Sequence, residues 1–181
     1  MQAAKTSPIS CRKALPVSHP ASLPPPIVRD AVARALAEDL GLAGDVTSQS
    51  VLAPEATLTA EMVSREKGVI AGLALAAEAF AQSGPDLSFS ALVSDGDSVE
   101  PGTVIARIQG NAREALAGER VALNYLNHMS GIATLTARFV AEIAGTGARI
   151  CDTRKTTPGP RALEKYAVRC GGGTNHRLSP A

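Results

Sequence analysis

From Ile27 onward, apolar residues recur at three- and four-residue intervals: Ile27, Val28, Ala31, Val32, Ala35, Leu36 and Leu40. That period predicts an amphipathic helix, with Pro26 suited to its entrance and Gly41 to its exit. The period then shortens. Leu58, Ala60 and Met62 alternate with Thr57, Thr59 and Glu61, which predicts a strand with one face inward, and residues 68–72 read as a second short strand. An Ala-rich helix follows over 73–83. Leu87, Phe89, Ala91 and Val93 return to every second position, Asp95-Gly96 turns the chain, and Val104, Ala106 and Ile108 alternate after Pro101-Gly102. The centre is therefore a mixed α+β unit.

Asn111 opens the next helix, with Glu114 placed as a capping-box partner and Leu116, Leu123 and Leu126 as its apolar stripe. Gly131 interrupts it, and a second helical run covers 132–144 before Gly145. Residues 148–151 read as a buried strand and 152–159 as a polar loop. A helix over 161–170 turns Leu163, Tyr166, Ala167 and Cys170 inward, and three glycines, 171–173, stop it. Strand, loop, helix and a new strand start form the opening of a βαβ unit. Residues 1–26 hold six of the twelve prolines and read as a disordered leader. Its acid-poor, Arg-containing composition also fits a transit peptide, although the prolines break the helix such peptides form.

Composition narrows the function. A length of 181 residues allows one domain or two small ones, and 45% hydrophobic with 19% charged residues supports a packed core. Aromatics at 3% and no Trp remove the stacking platforms of single-stranded nucleic-acid binders, so nucleic acid is not an expected partner. Three cysteines, Cys11, Cys151 and Cys170, without CxxC spacing argue against a disulfide framework or zinc site and fit a reducing cytoplasm. No apolar run approaches the ~20 residues needed to cross a bilayer, so no membrane association is expected.

The net charge of +1 conceals three unlike segments. Residues 1–26 carry three cations and no acid. Residues 27–148 hold eight basic and fifteen acidic side chains, net −7, whereas 149–177 hold seven basic and two acidic, net +5. A positive field there favours an anionic ligand. Its densest part is Asp152-Thr153-Arg154-Lys155-Thr156-Thr157-Pro158-Gly159, between a strand end and a helix start, where Arg154 and Lys155 add full charges to free helix-start N–H groups. Asn175-His176-Arg177 repeats the pattern after three glycines. Two cationic clusters at the same end of adjacent parallel strands converge where α/β folds bind ligands. Arg120, beside Glu119, is a candidate by association. Asp95-Gly96-Asp97 with Gly102 also resembles the hairpin of lipoyl or biotinyl carrier domains, but no lysine between Lys67 and Lys155 offers an attachment point.

Taken in order, these stretches resemble the quinolinate phosphoribosyltransferase family. The resemblance covers 27–177 and is carried by Glu38-Asp39-Leu40-Gly41, Gly44-Asp45-Val46-Thr47-Ser48, Val69-Ile70-Ala71-Gly72, Asp95-Gly96-Asp97 with Gly102, and Glu119-Arg120-Val121-Ala122-Leu123-Asn124. It continues through Ser130-Gly131-Ile132-Ala133-Thr134, Gly145-Thr146-Gly147-Ala148-Arg149, the loop 152–159, the helix 161–169 and the segment 171–177. The fold it implies is an α+β N-terminal domain over 27–128, then a connector helix and the first β-α unit of an α/β barrel over 129–181.

The reaction implied joins quinolinate to phosphoribosyl pyrophosphate, releasing pyrophosphate and carbon dioxide to form nicotinate mononucleotide in NAD biosynthesis, with Mg²⁺. By motif match Arg154, His176 and Arg177 hold the quinolinate carboxylates, and Lys155 serves the phosphoribosyl pyrophosphate side. Arg154 and Lys155 are the catalytic candidates, and Arg120 reaches the partner's active site, which implies a homodimer. Two departures stand out. Pro160 replaces a usually aliphatic residue, and after Arg177 the sequence reads Leu178-Ser179-Pro180-Ala181 where the family continues through a KDNH-type stretch and later acidic residues that contact sugar and metal. A full barrel takes ~250 residues, so the sequence is expected to be C-terminally truncated, to encode no Mg²⁺ ligands and to be inactive alone. The alternatives are a related barrel pyrophosphorylase paralogue associated with molybdenum transport, disfavoured by the intact Asn175-His176-Arg177 and Glu119-Arg120, and a non-catalytic dimerising fragment.

Overall fold

The computed structural model describes residues 22–177. Most of the expected leader, Cys11 and residues 178–181 lie outside the described residues. Leu23 is already buried, and helix α1 (Pro25–Leu40) begins two residues earlier than Ile27. Prolines suit a first turn, where no backbone N–H is needed. Helix α1 buries Val28, Ala31, Val32 and Leu36, as its periodicity predicts, and ends at Gly41 in a positive-φ conformation. A short helix, α2 (Val46–Val51), went unread because six residues show no period. It is set by Asp45, whose carboxylate accepts the Ser48 N–H at 3.0 Å.

Strands β1 (Thr57–Val63), β3 (Ser88–Ala91) and β5 (Val104–Asn111) form one antiparallel sheet in the order β1-β5-β3, with Ala60 opposite Ile108 and Phe89 opposite the same residue on the other side. Strands β2 (Gly68–Val69) and β4 (Ser98–Val99) pair separately, so the strand expected over 68–72 is shorter than its apolar run. Helix α3 (Leu73–Ser83) coincides with its expected span, and its Phe80 stacks on Phe89 with ring centroids 5.8 Å apart. The core joins these elements to α1 and to the long helix that follows.

That helix, α4 (Ala112–Glu142), corrects the expected break at Gly131: 31 residues run without interruption. A glycine inside a helix costs about 1 kcal/mol relative to alanine. Here the inward row Ala122, Leu126, Met129, Ala133 and Thr136 passes beneath Gly131, which sits exposed on the outer side. Packing of an unbroken 4-3 row outweighs one weak position. The expected stripe also shifts, for Leu126 is buried while Leu116 is exposed and Leu123 only partly covered. Asn111 caps the helix as expected, accepting the Arg113 and Glu114 N–H groups at 2.9 and 3.2 Å. The Glu114 carboxylate does not complete the box; its Oε2 is buried without a hydrogen-bond partner.

Residues 148–151 are not the buried strand expected. They form no strand beyond one isolated parallel bridge, Cys151 to Thr174, and are largely exposed. A parallel strand is buried by neighbours and by helices on both faces, and the described residues supply a single partner. The βαβ opening itself is present: helix α5 (Arg161–Cys170) lies between the two bridged segments and turns Leu163, Tyr166, Ala167 and Cys170 inward. At its end Gly171 meets α4 so closely that a Cβ there would lie 2.3 Å from the Ala133 carbonyl oxygen. The architecture is an α+β domain followed by the start of an α/β barrel, with no closed barrel among the described residues.

Candidate active site

The cationic loops are joined through one carboxylate. Asp152 follows directly on the bridged Cys151, and its Oδ1 accepts from the Lys165 ammonium at 2.5 Å and from the His176 backbone N–H at 2.7 Å. Its Oδ2 accepts the Asn175 side-chain amide at 2.7 Å. Lys165 also donates to the His176 carbonyl at 3.0 Å, and Asn175 donates to the Lys165 carbonyl at 2.8 Å. Both carboxylate oxygens are thereby bonded, and the two segments are held side by side.

Helix α5 holds the rest of the loop. Its Arg161 donates from Nε to the Thr156 hydroxyl at 3.0 Å, and Glu164 accepts the Thr157 N–H at 3.2 Å while facing His128 of α4 at 3.5 Å. Between these anchors Lys155 is exposed, and its N–H closes onto the Thr153 hydroxyl. Arg154 is half-buried, and its Nε is buried with no hydrogen-bond acceptor. A buried guanidinium N–H without a partner calls for an acceptor from outside the chain, and a carboxylate or phosphate oxygen matches it best. His176 and Arg177 are exposed beside this loop. Thus four of the five candidate residues, Arg154, Lys155, His176 and Arg177, sit on the two loops that Asp152 joins.

Arg120 is elsewhere in this chain. It projects from α4, three-quarters exposed, with Asp39 at 3.4 Å, into a depression of about 500 Å³ also lined by Gly44, Asp45 and Asn124. The motifs around residues 38–48 and 119–124, far apart in sequence, therefore form one surface. A larger apolar groove of about 1050 Å³ runs between α4 and strands β1 and β5, lined by Leu58, Ile108, Leu116, Leu123 and Leu135. None of the five candidates lines it.

The Asp95-Gly96-Asp97 turn has a structural task. Asp95 caps α3 by accepting the Leu73 N–H at 3.1 Å and accepts the Tyr166 hydroxyl of α5 at 2.7 Å, tying the central domain to the helix that bears Lys165. Burial, then the Asp95 carboxylate, raises the Tyr166 hydroxyl above the ordinary phenol range. Burial likewise pushes the neighbouring Cys170 thiol up to about 12, so it stays protonated. Among the described residues no group of three or more His, Cys, Asp or Glu side chains is placed to hold a metal ion, and no helix is long and apolar enough to cross a membrane.

Sequence reading passed over Asp152 and Lys165 as site residues. Lys165 lies ~200° around α5 from Leu163, on the face that a helical period assigns to solvent, yet it is only 1% exposed because Asp152 and His176 cover it. No local pattern distinguishes such a lysine from a solvated one.

Comparison with known proteins identifies the family of the fold. Residues 45–130 match the family model described as quinolinate phosphoribosyl transferase, N-terminal domain, and residues 132–179 match that of the C-terminal domain. The chain is 47% identical over 154 residues to a nicotinate-nucleotide pyrophosphorylase [carboxylating] of Mycobacterium leprae, covering 83% of this chain and 54% of that protein. It is 47% identical over 141 residues to a probable enzyme of the same name from Bacillus subtilis, covering 78% of this chain and 48% of the relative. The solved nicotinate-nucleotide pyrophosphorylase of Francisella tularensis superposes with a TM-score of 0.83 at 38% identity, covering 88% of this chain and 56% of its own. The chain spans about half the length of the curated relatives it matches.

Proposed function

The chain belongs to the quinolinate phosphoribosyltransferase family, and from that membership we propose that residues 152–177 form the quinolinate-binding part of an enzyme making nicotinate mononucleotide from quinolinate and phosphoribosyl pyrophosphate. The observation that carries the reading is the buried, unpartnered Nε of Arg154 on a loop that Asp152 holds against His176 and Arg177. Quinolinate is a dianion. Fixed cationic donors on two neighbouring segments match two carboxylates on one ring, and a guanidinium engages a carboxylate through paired N–H donors.

In this reading Arg154, His176 and Arg177 hold the carboxylates, and Lys155 meets the phosphorylated sugar. As the anomeric bond breaks, positive charge develops on the sugar and negative charge on the departing pyrophosphate, which fixed cations nearby stabilise more in the transition state than before it. The ring nitrogen bonds to the anomeric carbon, the adjacent carboxylate leaves as carbon dioxide, and the electron pair left on that ring carbon takes a proton from solvent, while the same arginines keep the remaining carboxylate in place. Mg²⁺ would enter with phosphoribosyl pyrophosphate, and the described residues offer it no ligand set. Arg120 stands apart from the loops within one chain, and supplying it to the active site of a second copy accounts for that separation.

A chimera joining residues 27–177 of this chain to the remaining half of the M. leprae relative tests the proposal. It is expected to convert quinolinate and phosphoribosyl pyrophosphate to nicotinate mononucleotide with equimolar carbon dioxide. A folded chimera that releases neither product contradicts the assignment.

A further inference from the structure

We propose that the buried Asp152–Lys165 pair is a positioning element, which sets the Arg154–Lys155 loop against His176–Arg177 so that both face one dicarboxylate ligand. The inference rests on the reading of those cations as the quinolinate site. The side chains of Lys165 and Asp152 are 2% and 9% exposed. Removing two such charges from water costs several kcal/mol per ion before their attraction is counted, and apolar residues of similar volume often stabilise a fold as well or better. Stability alone therefore gives a weak reason for the pair.

Geometry gives a stronger one. Each bond beyond the pair ends on a residue at or next to a candidate cation. Lys165 reaches the His176 carbonyl, and Asp152 takes the His176 N–H and the Asn175 amide. Asp152 is also two residues from Arg154. The two segments share one backbone bridge, Cys151 to Thr174, made of the Asp152 N–H to the Thr174 carbonyl at 3.1 Å and the Thr174 N–H to the Ile150 carbonyl at 2.8 Å, and the Thr174 hydroxyl also donates to the Ile150 carbonyl at 3.0 Å. Past that bridge, the Asp152 carboxylate and the Lys165 ammonium make the contacts that hold residues 175 and 176 against residue 152. The pair is also internally neutral. It fixes the loops without consuming the charge of Arg154, Lys155 or Arg177, and it commits Lys165 to the protein rather than to substrate phosphates.

The test uses the full 181-residue chain, quinolinate as the probe, and backbone amide NMR. Three proteins are compared with the wild type: Lys165→Met, Lys165→Arg, and the double substitution Asp152→Asn with Lys165→Met. The double substitution strands no buried charge and so remains folded if the single one does not. Lys165→Met and the double variant are expected to weaken quinolinate binding about tenfold or more. The His176 amide and the 153–156 signals should move while those of Leu163 and Ala167 in α5 stay in place. Lys165→Arg, which keeps the charge, should recover most of the affinity. A double variant with wild-type affinity and unmoved His176 and 153–156 signals overturns the proposal. If the wild type itself binds no quinolinate, the reading of the site fails, and the amide signals alone decide the positioning role: displaced loops on an intact α5 support it and unmoved loops overturn it.

Discussion

Arg154 combines permanent charge with a donor that no acceptor among the described residues satisfies, in a loop whose other polar side chains are mostly bonded. Asp152, Lys165, Asn175 and Glu164 close hydrogen bonds among themselves or with backbone, and Thr156 accepts from Arg161. The charged loop itself was legible in the sequence, because Arg-Lys beside threonines at a strand-to-helix junction has a direct electrostatic meaning. Lys165 was not, because its burial depends on two segments that meet it from outside its own helix. Cys170 and Tyr166 were legible as inward residues, but their chemistry needed Asp95, 71 residues from Tyr166. The raised thiol has a measurable consequence. A Cys170 held protonated to about pH 12 when folded, against an ordinary value near 9, adds stability that is fully present below pH 9 and is lost as pH rises from 9 toward 12. Tyr166 acts in the same direction. Urea midpoints should thus be flat from pH 7 to 8.5 and fall above 9, and Cys170→Ala should flatten part of that fall; an unchanged slope in the variant contradicts the assignment.

At the scale of elements, α1, α3 and α5 could be placed from periodicity because each buries one stripe on one neighbour. The long helix runs through Gly131 against its local sequence, since a sequence window weighs the glycine but not the row Ala122 to Thr136 that passes under it. The segment 148–151 departs from its local sequence in the opposite sense: apolar content promised burial that only neighbouring strands provide. The contact between α4 and α5 is the tightest that a glycine makes with backbone in the described residues. Gly171 lets α5 end against the Ala133 carbonyl, with Thr136 beside it. Gly171→Ala should force the two helices apart and destabilise the chain by about 1–3 kcal/mol, read as a lower urea midpoint with unchanged slope. A midpoint within error of the wild type would mean that the helices meet less closely.

For the whole molecule, the segment charges of −7 and +5 separate an acidic framework from a cationic edge, and the structure adds Arg120 as a cation on a different surface. If Arg120 completes the site of a second copy, two defects become complementary. In the chimera, Arg120→Ala and Arg154→Ala should each be inactive alone. Mixing and reassembling them should restore about a quarter of the parental rate, because half of the dimers are mixed and each mixed dimer holds one intact site. No recovery on mixing would place both arginines in the site of one chain. The apolar groove between α4 and β1–β5 and the exposed Leu135 and Phe139 mark surface left uncovered in this chain.

We assign to Arg154 the grip on one quinolinate carboxylate. Its most direct test is the equilibrium dissociation constant of quinolinate for the chimera with and without Arg154→Ala, measured without phosphoribosyl pyrophosphate so that chemistry plays no part. Losing a charge-assisted partner of a bound carboxylate costs about 3 kcal/mol, roughly a hundredfold in affinity. A rise in the dissociation constant of that order, with the variant still folded, is the predicted result. An unchanged constant contradicts the claim.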